Sequence, residues 1–299
     1  MVYYKMSISL AELIKTDRPH LSDSSLKTYL SSLRKLGITD QREIKTLTNP
    51  DAIFDKIKDL KITQQRNLLS SVLIIITASG ELPDLYEVYR KHLFDLGLQY
   101  SLELAKNEKT PVQEQNWITI DELRKIARSR LRKDPGSQES LISALYSYQP
   151  PCRLDYYDCE IVYNENLLHD DKNYLLINSN KNKVFIFNDY KTKNKYGQNR
   201  IDVSKELNTV INKFLKLNPE RKYLLQQKRK ALPLSRNQLG KLLPIVFAKT
   251  GKQVSINIIR HCYISEQVNL PQIKKLQELQ KAMMHSPEQQ IQYAKTHIN

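Results

Sequence analysis

Four stretches of this 299-residue chain carry side chains able to handle a phosphate or a proton. "MMHSPEQQIQYAKT" holds His285 and, further on, Tyr293. Ser286, Pro287 and Gln289 read as a helix start, with an N-cap, a first-turn proline and a capping partner, so Tyr293 falls on a short helix that can fix its orientation. "SINIIRHCYIS" reads as a helix on which Asn257, Arg260 and His261, at i, i+3 and i+4, share a face. Ile258, Ile259, Cys262 and Tyr263 supply its buried side. "YQPPCRLDYYD" sets Arg153 after a double proline, and "FNDYKTKNKYGQNR" is a lysine-rich turn holding Lys191 and Lys193. Singly, each has an ordinary alternative. Arg153 can serve a surface ion pair, the lysines a solvated hairpin tip, Arg260 and His261 a helix end, and His285 the start of a helix.

The elements that must position these residues differ along the chain. The first hundred residues have helical periodicity. "LSDSSLKTYLSSLRKLG" puts Leu26, Tyr29, Leu30, Leu33 and Leu36 on one face, with Ser22 as N-cap and Gly37 as stop. "TQQRNLLSSVLIIITASG" predicts a second helix ending at Gly80, and the stretch from Pro83 a third. The polar run 107–116 reads as a linker. Thr119 and Glu122 then form a capping-box pattern ahead of the stripe Ile120, Leu123 and Ile126. A helix in "SQESLISALYSY" is expected to run up to Pro150 and Pro151. "CEIVYN", "NYLLINS", "KVFIFNDYK" and "NRIDVS" are strand-like, and the last hundred residues return to helix. The expected fold is mostly α with a small antiparallel β-sheet, in two domains: 1–106, helical, and 117–299, α+β.

The formal net charge of +15 selects polyanionic partners, nucleic acid first. The charge is spread along the chain rather than gathered on one amphipathic helix, which argues against a membrane surface. The longest apolar run, Val72 to Ala78, is far short of the roughly 18 residues of a membrane span. The opening "MVYYKMSISLAELIK" lacks the apolar core and cleavage site of a signal peptide, so an intracellular, unsecreted protein is expected. Cys152, Cys159 and Cys262 are too few and too scattered for a disulfide framework or a zinc site. Seven glycines form no phosphate loop, so ATP chemistry is not expected.

Together, "RLDYYD", "YKTK", "NIIRH", "MHS" and "IQYAK", in that order, resemble the catalytic region of the tyrosine recombinase (phage-type integrase) family. The resemblance covers roughly residues 115–299. The "SSLKTYLSSLRKL" helix and the size of the first domain are similar to the family's core-binding domain. The "PP-x-R-x-DYY" and "YKT-x-x-x-YG" forms look most like integrases of large DNA viruses and their satellite elements.

The resemblance implies a site-specific recombinase that cleaves and rejoins double-stranded DNA through a 3′-phosphotyrosine. Tyr293 would be the nucleophile and Lys191 the acid for the leaving oxygen, with Lys193 the alternative. Arg153, Arg260 and His285 would contact the phosphate, and Asn257 and His261 are possible further contacts. No metal or other cofactor is implied. The two domains would clamp the duplex, and a homotetramer would hold two duplexes, in the cytoplasm or nucleus of a host. Three positions depart from the family pattern. Asn257 replaces a histidine, Tyr156 stands where an acidic residue is usual, and Met284 replaces a glycine. The rival readings are a type IB topoisomerase-like enzyme and a DNA-binding relative without catalysis, which Asn257 favours.

Overall fold

In the computed structural model of the chain, residues 8–284 and Ser286 are described. His285 and Tyr293 lie outside the described residues. The chain divides between Glu108 and Lys109 into two compact units.

The first unit is helical. Its helices are α1 (Leu10–Asp17), α2 (Asp23–Leu36), α3 (Pro50–Ile57), α4 (Ile62–Ser79) and α5 (Pro83–Ala105), with a 3₁₀ segment at Gln41–Thr48. Ser22 caps α2 by accepting from the Ser25 amide, and Gly37 closes it in the left-handed conformation that glycine adopts without a Cβ penalty. Helix α4 buries Leu68, Leu69, Val72, Ile74, Ile75 and Ile76, too many for a single stripe, because α1, α2 and α5 all pack on it. The buried Tyr89 hydroxyl on α5 donates to the Leu47 carbonyl at 2.9 Å and ties the 3₁₀ segment to this core.

The second unit is mostly helical around a small sheet. It opens with α6 (Pro111–Gln115), α7 (Ile120–Lys133) and α8 (Gln138–Leu145). The run expected to be a plain linker therefore contains a helical turn. Thr110 and Gln113 cap each other reciprocally and Pro111 stands at the first helical position. Asn116 is buried and accepts from the Gln253 amide. Helix α8 ends at Leu145, before Pro150 and Pro151, because the amides of Ser147 and Tyr148 both turn back to the Ala144 carbonyl.

The strands are β1 (Glu160–Val162), β2 (Tyr174–Ile177), β3 (Lys183–Phe187) and β4 (Asn199–Asp202), in sequence order across the sheet. The sheet is mixed rather than antiparallel, since β1 pairs parallel to β2. Residues 163–173 are long enough to carry the chain back along the sheet, so β2 can start where β1 started. The outer edge of β1 is covered by residues 222–224: the Ile161 amide donates to the Lys222 carbonyl and the Leu224 amide to the Cys159 carbonyl, each at 2.9 Å. The far edge, β4, exposes Asn199, Arg200 and Asp202, and Arg200 pairs with Glu165 at 2.6 Å.

Helix α9 (Lys193–Tyr196) lies between β3 and β4. The chain continues with α10 (Lys205–Leu217), α11 (Arg236–Val246), α12 (Ile256–Gln267) and α13 (Leu270–Met283). Leu141, Leu145, Tyr156, Phe185, Phe214, Leu243 and Ile259 form part of one continuous core of helices and sheet. Among the described residues no helix is long and apolar enough to cross a membrane.

Candidate active site

Arg153 lies on the irregular segment between α8 and β1. Two groups fix that segment from below. The buried Tyr146 hydroxyl donates to the Arg153 carbonyl at 3.0 Å, and Tyr156, fully buried, packs edge-on against Tyr146, Phe185 and Phe187. Tyr156 thus belongs to the core. The buried carboxylate of this segment is the preceding residue, Asp155.

Asp155 is buried and accepts a hydrogen bond from Arg236 Nη2 at 2.8 Å. Burial pushes its carboxyl up, while the guanidiniums of Arg236, Arg153 and Arg260 act in the opposite sense. Three arginines from separate parts of the chain therefore bear on one carboxylate. Arg236 is the first residue of α11 and also lies over the Tyr157 ring, 5.4 Å from its centroid. Arg260 comes from α12. That helix is docked on the start of α7, where the Ile120 amide donates to Glu266 Oε1 at 3.0 Å and the Ile118 amide to Cys262 Sγ at 3.4 Å. Among the described residues neither Arg153 nor Arg260 makes a salt bridge. Ser255 caps α12, Asn257 is its second residue, and Asn257 and His261 are both exposed.

The lysine connection is tied to the same segment through Asn173. Asn173 is fully buried, and its Oδ1 accepts from the amides of Asn188 at 3.0 Å and Asp189 at 2.9 Å. Its Nδ2 donates to the Asp189 carbonyl at 2.9 Å and to Asp158 Oδ1 at 3.0 Å, with a weaker contact of 3.5 Å to the Asp155 carbonyl. One amide side chain thus joins the Asp155–Asp158 turn to the end of β3. Beyond it, Tyr190 donates to the Gly197 carbonyl at 2.8 Å and closes the loop. Gly197, at φ 66, takes a backbone conformation that disfavours a Cβ. Lys193 starts α9 and stands 3.9 Å from Asp189. Lys191 is exposed and makes no salt bridge among the described residues.

Replacing Asn173 with alanine removes an amide and strands buried backbone partners at about 1–3 kcal/mol each. With the bonds to Asn188, Asp189 and Asp158 lost, we expect a loss of about 3–5 kcal/mol, read from the midpoint of urea unfolding. A loss under about 1 kcal/mol would show that the two segments hold together without Asn173.

Three tyrosines lie near Arg153, and burial moves all of them away from phenolate. Tyr146 and Tyr156 are raised well above the ordinary value, by burial first. Tyr157 is pushed up to about 12 by burial and then by its hydrogen bond to Asp158. Cys152 is likewise raised by burial, against a hydrogen bond to Tyr156 and the nearby Arg260. None of these four is activated as a nucleophile.

The sequence reading missed Asp155, Arg236 and Asn173. The two acids of "RLDYYD" were a visible signal for the first. Arg236 had only its place behind the N-cap Ser235, and Asn173 had no local signal. Among the described residues the structure thus defines a mostly helical unit whose small mixed sheet and terminal helices gather an arginine cluster beside an anchored lysine loop. No protein-family model and no curated protein matches the chain.

Proposed function

We propose that the chain is a site-specific tyrosine recombinase acting on double-stranded DNA. The observation that carries this reading is the gathering of Arg153 and Arg260 around the buried Asp155, beside a loop that presents Lys191. Guanidiniums offer paired, planar donors suited to the non-bridging oxygens of a phosphodiester as charge builds there. The Tyr293 hydroxyl gives its proton to His285 or to water as its oxygen attacks phosphorus, the bond to the 5′ oxygen breaks, and that oxygen takes a proton from Lys191 or, in the alternative register, Lys193. His285 donates to the same phosphate or moves a proton. The phosphotyrosine keeps the ester energy that water would discard, so the 5′ hydroxyl of another strand can reverse the step. Residues 1–106 act as a core-binding domain, and four protomers hold two duplexes for integration of a mobile or viral element.

The test uses a nicked duplex bearing a site selected by the protein from a random library. In excess EDTA and without ATP, a covalent protein–DNA adduct is expected on a denaturing gel. Loss of cleavage on chelation, restored by magnesium, would instead indicate a metal-dependent nuclease. Asn257 favours a second reading, DNA binding without cleavage, because a carboxamide takes no proton near neutral pH. Tight binding of the selected site with no adduct is the outcome of that reading. Relaxation of supercoils without joining of two sites would mark a topoisomerase.

A further inference from the structure

We propose that α7 and α10 form a second DNA site, a cleft that takes the phosphodiester backbone of a duplex. The cleft is shallow and open to solvent, with a volume of about 660 Å³, and is lined by Lys125, Arg128, Leu131 and Arg132 of α7 and Lys213 of α10. None of these residues belongs to the group around Asp155, and the proposal does not require that the chain cleave DNA.

The charge arrangement carries the argument. Lys125, Arg128 and Arg132 stand at i, i+3 and i+7, along one face of α7. Like charges at such spacings destabilise a helix unless something relieves them. Arg132 lies in the last turn of α7, where free carbonyls favour a cation, but none of the four cations makes a salt bridge among the described residues. Neighbouring cations are used differently. Arg130 turns to α11, where its Nε donates to the Val246 carbonyl at 2.8 Å and its Nη2 to the Ile245 carbonyl at 3.3 Å, capping the end of that helix. Lys252 pairs with Glu122 at 3.2 Å. The cleft thus holds four cations with no carboxylate partner among the described residues, a charge that an external anion would offset.

The shape and lining select the anion. From Lys125 to Arg132 the helix advances about 10 Å at ~1.5 Å per residue. That matches about three phosphates of one strand, spaced ~3.4 Å along the duplex axis. The lining contains no aromatic side chain on which a single strand would stack its bases. Its one apolar residue, Leu131, is half-buried, and a concave basic cleft without apolar anchors is poorly suited to a bilayer. Contacts to phosphates alone carry no sequence information, so the site is expected to hold any duplex.

The test is the salt dependence of binding to a random-sequence duplex, measured by fluorescence anisotropy on the full chain. Each lost phosphate contact lowers the slope of log K against log salt by about 0.9. The variant Lys125→Gln/Arg128→Gln/Arg132→Gln/Lys213→Gln is expected to lower it by about 3–4. A control removes the same charge where each cation is already paired: Lys58→Gln/Arg90→Gln/Lys222→Gln/Lys228→Gln. It is expected to change the slope by less than about one contact's worth. If the first variant fails to fold, Lys125→Gln/Lys213→Gln takes one cation from each helix and should lower the slope by about 2. Equal slopes in wild type and variant overturn the proposal. So does loss of binding to phosphatidylserine–phosphatidylcholine vesicles with the DNA slope intact, which would make the cleft a membrane contact. A wild type that forms no adduct would refute the recombinase reading and leave this slope prediction standing.

Discussion

Arg260→Ala is expected to lower single-turnover cleavage by at least about 10³-fold at equal DNA occupancy, while Asn257→Ala lowers it only several-fold. The contrast follows from charge. In the proposed reaction the Arg260 guanidinium faces oxygens that gain charge on the way to the transition state, and removal of even one neutral donor at such a position costs about 10²–10³-fold. Asn257 lies one turn earlier on the same helix and offers a neutral amide. Losing its hydrogen bond costs about 1 kcal/mol, well below the roughly 10²–10⁴-fold that follows loss of a general base. Arg260→Lys should recover only part of the rate, because an ammonium lacks the planar pair of donors. Removing Arg260 also leaves Asp155 with Arg236 and Arg153 as its cations, so a thermal melt of each variant must accompany the rates. Equal inactivity of the two alanine variants would give Asn257 a role beyond a hydrogen bond.

The largest effect is expected from Tyr293→Phe. Loss of the attacking oxygen should abolish the adduct, a fall beyond about 10⁴-fold by analogy with other nucleophile deletions. DNA binding should persist, since phosphate contacts rest on cations that the substitution leaves in place. Tyr157→Phe is the matched control. Burial and Asp158 hold that phenol at about 12, so it is poorly placed to attack, and its removal should leave the adduct. An adduct that survives Tyr293→Phe and vanishes with Tyr157→Phe would move the nucleophile into the described part of the chain.

What the sequence made legible was local. Ser22 and Gly37 bound α2 because each acts on its own turn of backbone, and Thr119 with Glu122 does the same for α7. The helical turn at Pro111–Gln115 carried the same kind of signal in Thr110, Pro111 and Gln113, and the polar composition around it masked that signal. The four strand-like runs were visible from their β-branched and aromatic residues. The direction of β1 against β2 was not, since it depends on the path of residues 163–173 rather than on either strand. The site divides the same way. Arg153 and Arg260 stand out as residue types in suggestive contexts. The pairing of buried Asp155 with Arg236, from a helix more than eighty residues later, and the Asn173 bonds exist only once distant segments meet.

The pairing of residues 222–224 along β1 has a consequence for how copies of this chain can meet. A sheet edge with open amides and carbonyls recruits another strand and seeds fibrous aggregates. Here one edge is already occupied by the chain itself, with the Ile161 and Leu224 amides both engaged. The other is a four-residue strand whose exposed Arg200 and Asp202 would carry their charges into any added strand. Growth of the sheet by backbone pairing is therefore disfavoured at both edges. On the proposed reading, copies bound along one duplex would be ordered by side chains and by the spacing of their sites rather than by strand pairing.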